Sequence, residues 1–105
     1  MALYFIRFDI HQPDDMSNAQ LTEIWNREAQ AAMGPVQAGA IKGLGKVAGQ
    51  RTVLAVVDLP DGRTVDQALA GLPIVVEMGG AVKTECLAIY PYEDFADDLA
   101  KAVSG

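Results

Sequence analysis

A single glutamate interrupts the apolar side of the first predicted helix. Glu28 lies four residues after Ile24 and four residues before Ala32, which are the spacings of residues on one face of an α-helix. A carboxylate is rarely buried without a partner or a task, and burial disfavours its charged form. A general base that moves a proton near neutral pH has these properties. We therefore predict that Glu28 is catalytic. The alternative is a carboxylate that pairs with a basic side chain or reaches water.

Five further residues are candidates for the same site. His11 ends the first predicted strand, and because histidine titrates near neutral pH we predict it as a second catalytic acid or base. Lys42 and Lys46 are four residues apart on a predicted strand and should point the same way. With Arg7 they are predicted to hold an anionic substrate, and Trp25 to line the binding site. The alternatives are a solvated histidine and ordinary solvated lysines.

The composition excludes several classes of protein. Fourteen acidic against eight basic residues give a net charge of −6, which excludes nucleic acid as a partner because binding it requires basic side chains that release counterions. One cysteine and one histidine cannot form a conventional zinc site, so no metal is expected. The sequence contains no apolar run of the roughly 20 residues that a membrane helix needs and no signal-peptide pattern. We therefore expect a cytoplasmic protein without membrane contacts.

The elements that position these residues alternate along the chain. Apolar periodicity predicts strands over residues 3–10, 40–49, 52–59 and 82–89. Ser17 with Gln20, and Thr64 with Gln67, match the capping box that begins a helix. Gly34–Pro35 is expected to kink the first helix or end it early. The second helix is expected to run through residue 70. Residues 74–77 are ambiguous, and a weakly amphipathic helix ends the chain.

This order of elements predicts an α+β fold. Strand, helix, strand, strand, helix, strand is the ferredoxin-like βαββαβ pattern, in one domain of residues 1–105. Two helices cover only one face of a four-stranded sheet, so the other face must meet ligand, water or another subunit. Two such sheets packed face to face would form a dimeric α+β barrel, with the half-polar face of the first strand inside. Residues 89–105 form a C-terminal extension that we expect to pack on a neighbouring subunit.

The spacing of several landmarks resembles that of the muconolactone delta-isomerase family over nearly all of residues 3–87. The matching positions are Pro13, Asp15, Met16, Glu28, Gly39, Leu44, Ala48, Gly49, Val56, Asp58, Leu72, Pro73 and Met78. The resemblance implies a ferredoxin-like subunit, homo-oligomers built from dimers up to decamers, and no cofactor. It also implies isomerisation of a small unsaturated lactone acid by proton transfer, in bacterial aromatic catabolism. Glu28 matches a glutamate of the family.

Other positions depart from the family pattern. Lys42 and Lys46 stand where the family tends to carry arginines, which keeps the charge but loses the bidentate fork. Gly43 and Gly45 stand where it carries a histidine and a tryptophan, and Glu77 replaces a tyrosine. The resemblance therefore implies a wider pocket with altered chemistry.

Together these features predict a cofactor-free isomerase that moves a proton on a small unsaturated lactone or carbonyl compound, with a homo-oligomeric assembly. The substrate is expected to be an anionic or lactone compound. One alternative is a non-catalytic protein of the same fold that binds a small ligand or acts as an oligomeric scaffold. Another is a cofactor-free cyclase or oxygenase of the dimeric barrel type, which rests on analogy of fold.

Overall fold

The computed structural model describes residues 2–105, which form four strands and four helices in an α+β arrangement. In chain order the elements are β1 (Ala2–Ile10), α1 (Asn18–Ala38), β2 (Ile41–Lys46), β3 (Thr52–Leu59), α2 (Gly62–Ala70), α3 (Pro73–Met78), a 3₁₀ turn (Gly79–Ala81), β4 (Val82–Ile89) and α4 (Tyr92–Ser104). Within residues 2–105, none of these helices is both long enough and apolar enough to cross a membrane.

The four strands form one antiparallel sheet in the order β2-β3-β1-β4. This order confirms the predicted ferredoxin-like pattern. Alternate residues of the two central strands face the helices, and Ile6 lies opposite Ala55 in the register. Both are buried, together with Val57 of β3 and Val65 of α2. A second buried cluster joins the end of β1 to α1 and α3; its members are Ile10, Leu21, Ile24, Ile74 and Met78.

The opposite face of the sheet carries no helix from residues 2–105. Phe5 at its centre lies opposite Val56 of β3 and Leu87 of β4. Leu87 and Ile89 are exposed, although both lie on this apolar part of the sheet. The face therefore presents apolar side chains to solvent in the single chain.

Helix α1 begins where the sequence predicts and continues further than expected. The predicted capping box is confirmed, because Ser17 Oγ accepts from the Gln20 backbone N–H and Gln20 Oε1 accepts from the Ser17 N–H. The helix does not end early at Pro35 but runs to Ala38. Proline removes only one backbone donor. Gly39, at φ 85°, closes the last turn by donating to the carbonyls of Pro35 and Val36.

The second predicted cap is wrong by three residues. Asp61, not Thr64, caps α2, and its Oδ1 accepts from both the Thr64 backbone N–H and the Thr64 hydroxyl at 2.8 Å. Asp61 is itself a favoured capping residue and stands in the extended conformation that a cap requires. The ambiguous segment after α2 is the helix α3, with Pro73 in its first turn.

Helix α4 projects away from the rest of the subunit. All its residues are exposed, and the chain reaches 61 Å in its longest dimension but only 26 and 22 Å in the others. Its radius of gyration is 16.6 Å, whereas a compact domain of this length has about 13 Å. Only Tyr90 and Pro91 connect β4 to this helix.

The cap of α2 makes stability depend on pH. The hydrogen bonds from Thr64 lower the pKa of Asp61 below its ordinary value of 3.8. The stabilisation is therefore present above pH 3.8 and is lost as the pH falls through the lower folded-state value. We predict that wild type is more stable than Asp61→Asn above pH 3.8 and that this difference shrinks below it. Urea unfolding across this pH range measures the effect, and a difference that stays constant with pH would contradict it.

Candidate active site

A cavity of about 450 Å³ lies between the helix-covered face of the sheet and the helices α1 and α2. Strands β1, β2 and β3 form its floor, while α1, α2 and the start of α3 form its walls. Some of its lining residues are solvent-exposed, including Met33 of α1 and Leu44 and Lys46 of β2. Ala29 and Ala31 of α1 and Ala68 of α2 are also exposed lining residues, so the mouth of the cavity runs along α1, toward β2 on one side and toward α2 on the other.

Glu28 lines this cavity from α1 and is half-buried. Its Oε1 accepts a hydrogen bond of 3.1 Å from the backbone N–H of Ile74. Leu72 at the cap of α3 has no side-chain acceptor, and Pro73 has no backbone N–H. The Ile74 N–H is thus an orphan donor at the start of a helix. Glu28 supplies the missing cap from a different helix and is held at the cavity wall as a result.

The neighbouring residue Arg27 ties the other end of α3 to α1. Its guanidinium donates two hydrogen bonds to the Glu77 carboxylate, one from Nη1 to Oε1 and one of 2.8 Å from Nη2 to Oε2. Its Nε donates to Glu23 Oε1 at 3.0 Å. The hydrogen bonds from Arg27 lower the pKa of Glu77. This contact has no signal in the sequence, because Arg27 and Glu77 are fifty residues apart and nothing local indicates that the two side chains meet.

The two predicted lysines do not reach the same place. Lys46 lines the cavity at its mouth, where its Nζ donates to the Val47 carbonyl at 2.8 Å. Between Ile41 and Gly43 the pairing of β2 with β3 shifts register. This irregularity breaks the two-residue alternation on which the prediction of a shared direction depended. Lys42 stands at the shift and is exposed, outside the residues that line the cavity.

Arg7 lies on the uncovered face of the sheet. It forms an ion pair with Asp9, with 2.9 Å between Nε and Oδ2. Asp9 Oδ1 also accepts a hydrogen bond of 2.7 Å from the Thr52 hydroxyl. The hydrogen bond from Arg7, followed by that from Thr52, lowers the pKa of Asp9. The charge of Arg7 is therefore paired, on the face opposite to Glu28.

His11 is also apart from the cavity. It is exposed, its backbone N–H donates to the Ala81 carbonyl at 2.8 Å, and it borders a separate open depression together with Asp9, Gly80 and Lys83. Glu28 and His11 therefore do not converge on one point in the single chain.

The structure thus brings three of the six predicted site residues together at one cavity. Glu28, Trp25 and Lys46 line it, and His11, Arg7 and Lys42 do not. A carboxylate, an ammonium group and an apolar enclosure suit proton transfer at carbon, because the base removes the proton and the cation stabilises the developing oxyanion. Within residues 2–105 no cluster of three or more histidine, cysteine, aspartate or glutamate side chains is arranged to hold a metal ion.

This chain is similar to known proteins both in sequence and in fold. The sequence profile of the family described as muconolactone delta-isomerase matches residues 2–93. A solved crystal structure of muconolactone isomerase superimposes with a TM-score of 0.70 at 21% sequence identity, over 85% of this chain and 88% of that chain. At this identity the structural likeness concerns the fold. No curated protein matches the chain.

The capping role of Glu28 can be separated from its charge. Glu28→Gln keeps an oxygen acceptor for the Ile74 N–H, whereas Glu28→Ala leaves that donor without a partner, at a cost of about 1–3 kcal/mol. We predict that amide hydrogen exchange at Ile74 accelerates roughly 5- to 150-fold in Glu28→Ala and changes little in Glu28→Gln. The Val65 amide, which donates to the Asp61 carbonyl in α2, is the internal reference. Equal exchange at Ile74 in the two variants would refute the capping role.

Proposed function

Since the chain belongs to the muconolactone delta-isomerase family, we propose that it is a cofactor-free isomerase that moves a proton within a small unsaturated lactone or carbonyl compound. The observation that carries the proposal is a carboxylate, Glu28, in the wall of an otherwise mainly apolar cavity. Its hydrogen bond to the Ile74 N–H engages Oε1. The second oxygen, Oε2, is the atom to which we assign the proton transfer.

The reaction needs one base to move the proton and one cation to stabilise the negative charge that develops on the carbonyl oxygen. The Glu28 carboxylate removes a proton from the carbon beside the carbonyl, and the electrons of that C–H bond form a dienolate. The protonated Glu28 then returns the proton to the far carbon of the conjugated system. The carbon–carbon double bond has moved, and the enzyme is regenerated. A positioned base contributes about 10²–10⁴-fold to such a rate.

Lys46 is the cation available to the dienolate. Lys46 lines the mouth of the cavity, and the donation of its Nζ to the Val47 carbonyl leaves two of its three N–H donors for a substrate oxygen. An ammonium group aimed at the oxygen where charge develops stabilises the transition state more than the ground state. Arg7, His11 and Lys42 take part in this proposal only if a second copy of the chain brings them to the cavity.

The proposal predicts a specific loss on substitution of the base. Glu28→Gln should reduce solvent-deuterium exchange into a reactive carbonyl compound by about 10²–10⁴-fold, because the amide keeps the cap of α3 but cannot accept the proton. NMR of carbon-bound protons in heavy water, over a panel of unsaturated lactones and ketones, measures this rate. The matched control is Glu23→Gln, an exposed glutamate on the same helix. Exchange that survives in Glu28→Gln would remove Glu28 from the chemistry.

A second candidate function is binding without catalysis. The observation in its favour is that Glu28 already has a structural task, the cap of α3. A carboxylate retained for that task alone needs no substrate proton. Compounds that bind in the cavity but show no Glu28-dependent exchange across the panel would favour this function.

We further propose that the protein works as a homo-oligomer in which neighbouring copies cover α4. Phe95, Leu99 and Val103 are four residues apart along α4, so they share one face, and they are 39%, 48% and 88% exposed. On the uncovered face of the sheet, the part formed by Phe5, Leu87 and Ile89 is a second apolar surface of the same subunit. Contiguous apolar patches of this kind are typical of interfaces between protein chains.

A single substitution on α4 tests this assembly. We predict that Leu99→Asn lowers the sedimentation coefficient, because it places an amide in the middle of the apolar stripe. Asp98→Asn, on the adjacent polar side of the same helix, should sediment as the wild type does. A wild-type protein that sediments as an 11.2 kDa monomer would reject the proposal.

A further inference from the structure

Almost the whole cavity wall is hydrocarbon. The lining residues are glycine or carry aliphatic or aromatic side chains, with few polar atoms among them. The side chains that contribute a nitrogen or oxygen atom are those of Glu28, Lys46 and Trp25. A volume of about 450 Å³ falls within the range of roughly 300–1,000 Å³ that is usual for pockets that enclose a small organic ligand. The shape and chemistry of this wall suit a ligand that makes contact mainly through carbon.

Small residues on facing walls create this space. Ala29 and Ala32 of α1, Ala55 of β3 and Ala68 of α2 all line the cavity. Protein interiors are normally packed to the density of organic crystals, and larger side chains at these positions would fill the gap. An unfilled volume of this size between three elements is thus available to a ligand.

The charges around the cavity disfavour a substrate that carries a carboxylate. Lys46 is exposed at the mouth, Arg7 is paired with Asp9 on the other face of the sheet, and Lys42 lies outside the lining. A carboxylate deeper in the cavity would lose its hydration without gaining a cation from this subunit, and it would approach the Glu28 carboxylate. A neutral carbonyl oxygen needs only one donor, which Lys46 at the mouth provides.

From the lining, the volume and the placement of charge, we infer that the substrate is a neutral, mainly hydrocarbon ring ketone or lactone without a carboxylate group. The ring system occupies the space between the alanine-rich walls, and the carbonyl oxygen points toward Lys46 at the mouth. The carbon that loses its proton then faces Glu28. This inference rests on the proposed proton transfer for its orientation, but its central claim concerns binding alone.

A pair of matched ketones tests the inference. The probes are 2-tetralone, a neutral bicyclic ketone, and its 6-carboxylate. Trp25 is the single tryptophan of the chain and lines the cavity, so its fluorescence reports occupancy. We expect the neutral ketone to bind at least about tenfold more tightly than the carboxylate, which corresponds to about 1.4 kcal/mol. Equal or tighter binding of the carboxylate overturns the inference, and so does the failure of both ketones to bind.

Variants of two different walls show whether the ketone occupies this cavity. Ala32→Leu on α1 and Ala68→Leu on α2 each reduce its volume, and each should weaken binding of 2-tetralone at least about tenfold, because the added leucine occupies space that the ketone needs. The control is Ala38→Leu, on the same helix as Ala32 but outside the lining. Thermal melts monitored by circular dichroism verify that each variant is folded. If both wall variants are folded and bind the ketone as the wild type does, the inference is wrong.

The outcomes for binding and for reaction are separable. Fluorescence titration needs no turnover, and solvent-deuterium exchange into the bound ketone is measured on the same samples. If the neutral ketone binds preferentially but shows no Glu28-dependent exchange, the proposed reaction is rejected. The inferred preference of the cavity for a neutral compound is then still supported. Glu28-dependent exchange that is faster for the carboxylate, together with its tighter binding, supports the reaction and overturns the substrate class.

Discussion

The hydrogen bond from the Ile74 N–H to Glu28 joins the two parts of the molecule on which the cavity depends. Helix α3 starts with a leucine cap and a proline, so its first free backbone donor has no local acceptor. Glu28 stands on an apolar helix face, where a carboxylate without a partner is costly. Each group supplies what the other lacks. The same contact fixes the carboxylate at the cavity wall with one oxygen engaged.

Packing around this bond explains why α3 stays in place although it has only six residues. Isolated helices of this length are unstable in water, and they depend on tertiary contacts. Ile74 and Met78 bury one side of α3 against Ile10 of β1 and against Leu21 and Ile24 of α1. On the exposed side, Arg27 pairs with Glu77. Two consecutive residues of α1, Arg27 and Glu28, thereby hold both ends of the short helix.

The single subunit leaves two apolar surfaces exposed, one on the uncovered face of the sheet and one on α4. Neither of them lines the cavity. The cavity is formed by α1, α2, the start of α3 and the covered face of the sheet, all from one chain. The uncovered sheet face and α4 point away from that cavity. Several of their apolar side chains, such as Leu87, Leu99 and Val103, remain exposed to water, which is unfavourable. The proposed assembly and the proposed proton transfer therefore draw on different faces of the same sheet, and β1 contributes alternate residues to each face.

The sequence by itself determined the order of the four strands and of the helices α1, α2 and α4, the first helix cap and the position of Glu28 in an apolar face, because periodicity and capping are local properties of the chain. It left α3 undecided. It also carried the family resemblance. Only the tertiary structure decided which candidates share a cavity. The register shift in β2 and the alternation of β1 separate Lys42 and Arg7 from Lys46 and Glu28, and pairing between strands sets both. The cap that Glu28 provides to α3 joins residues far apart in the chain, and such contacts depend on packing rather than on spacing along the sequence.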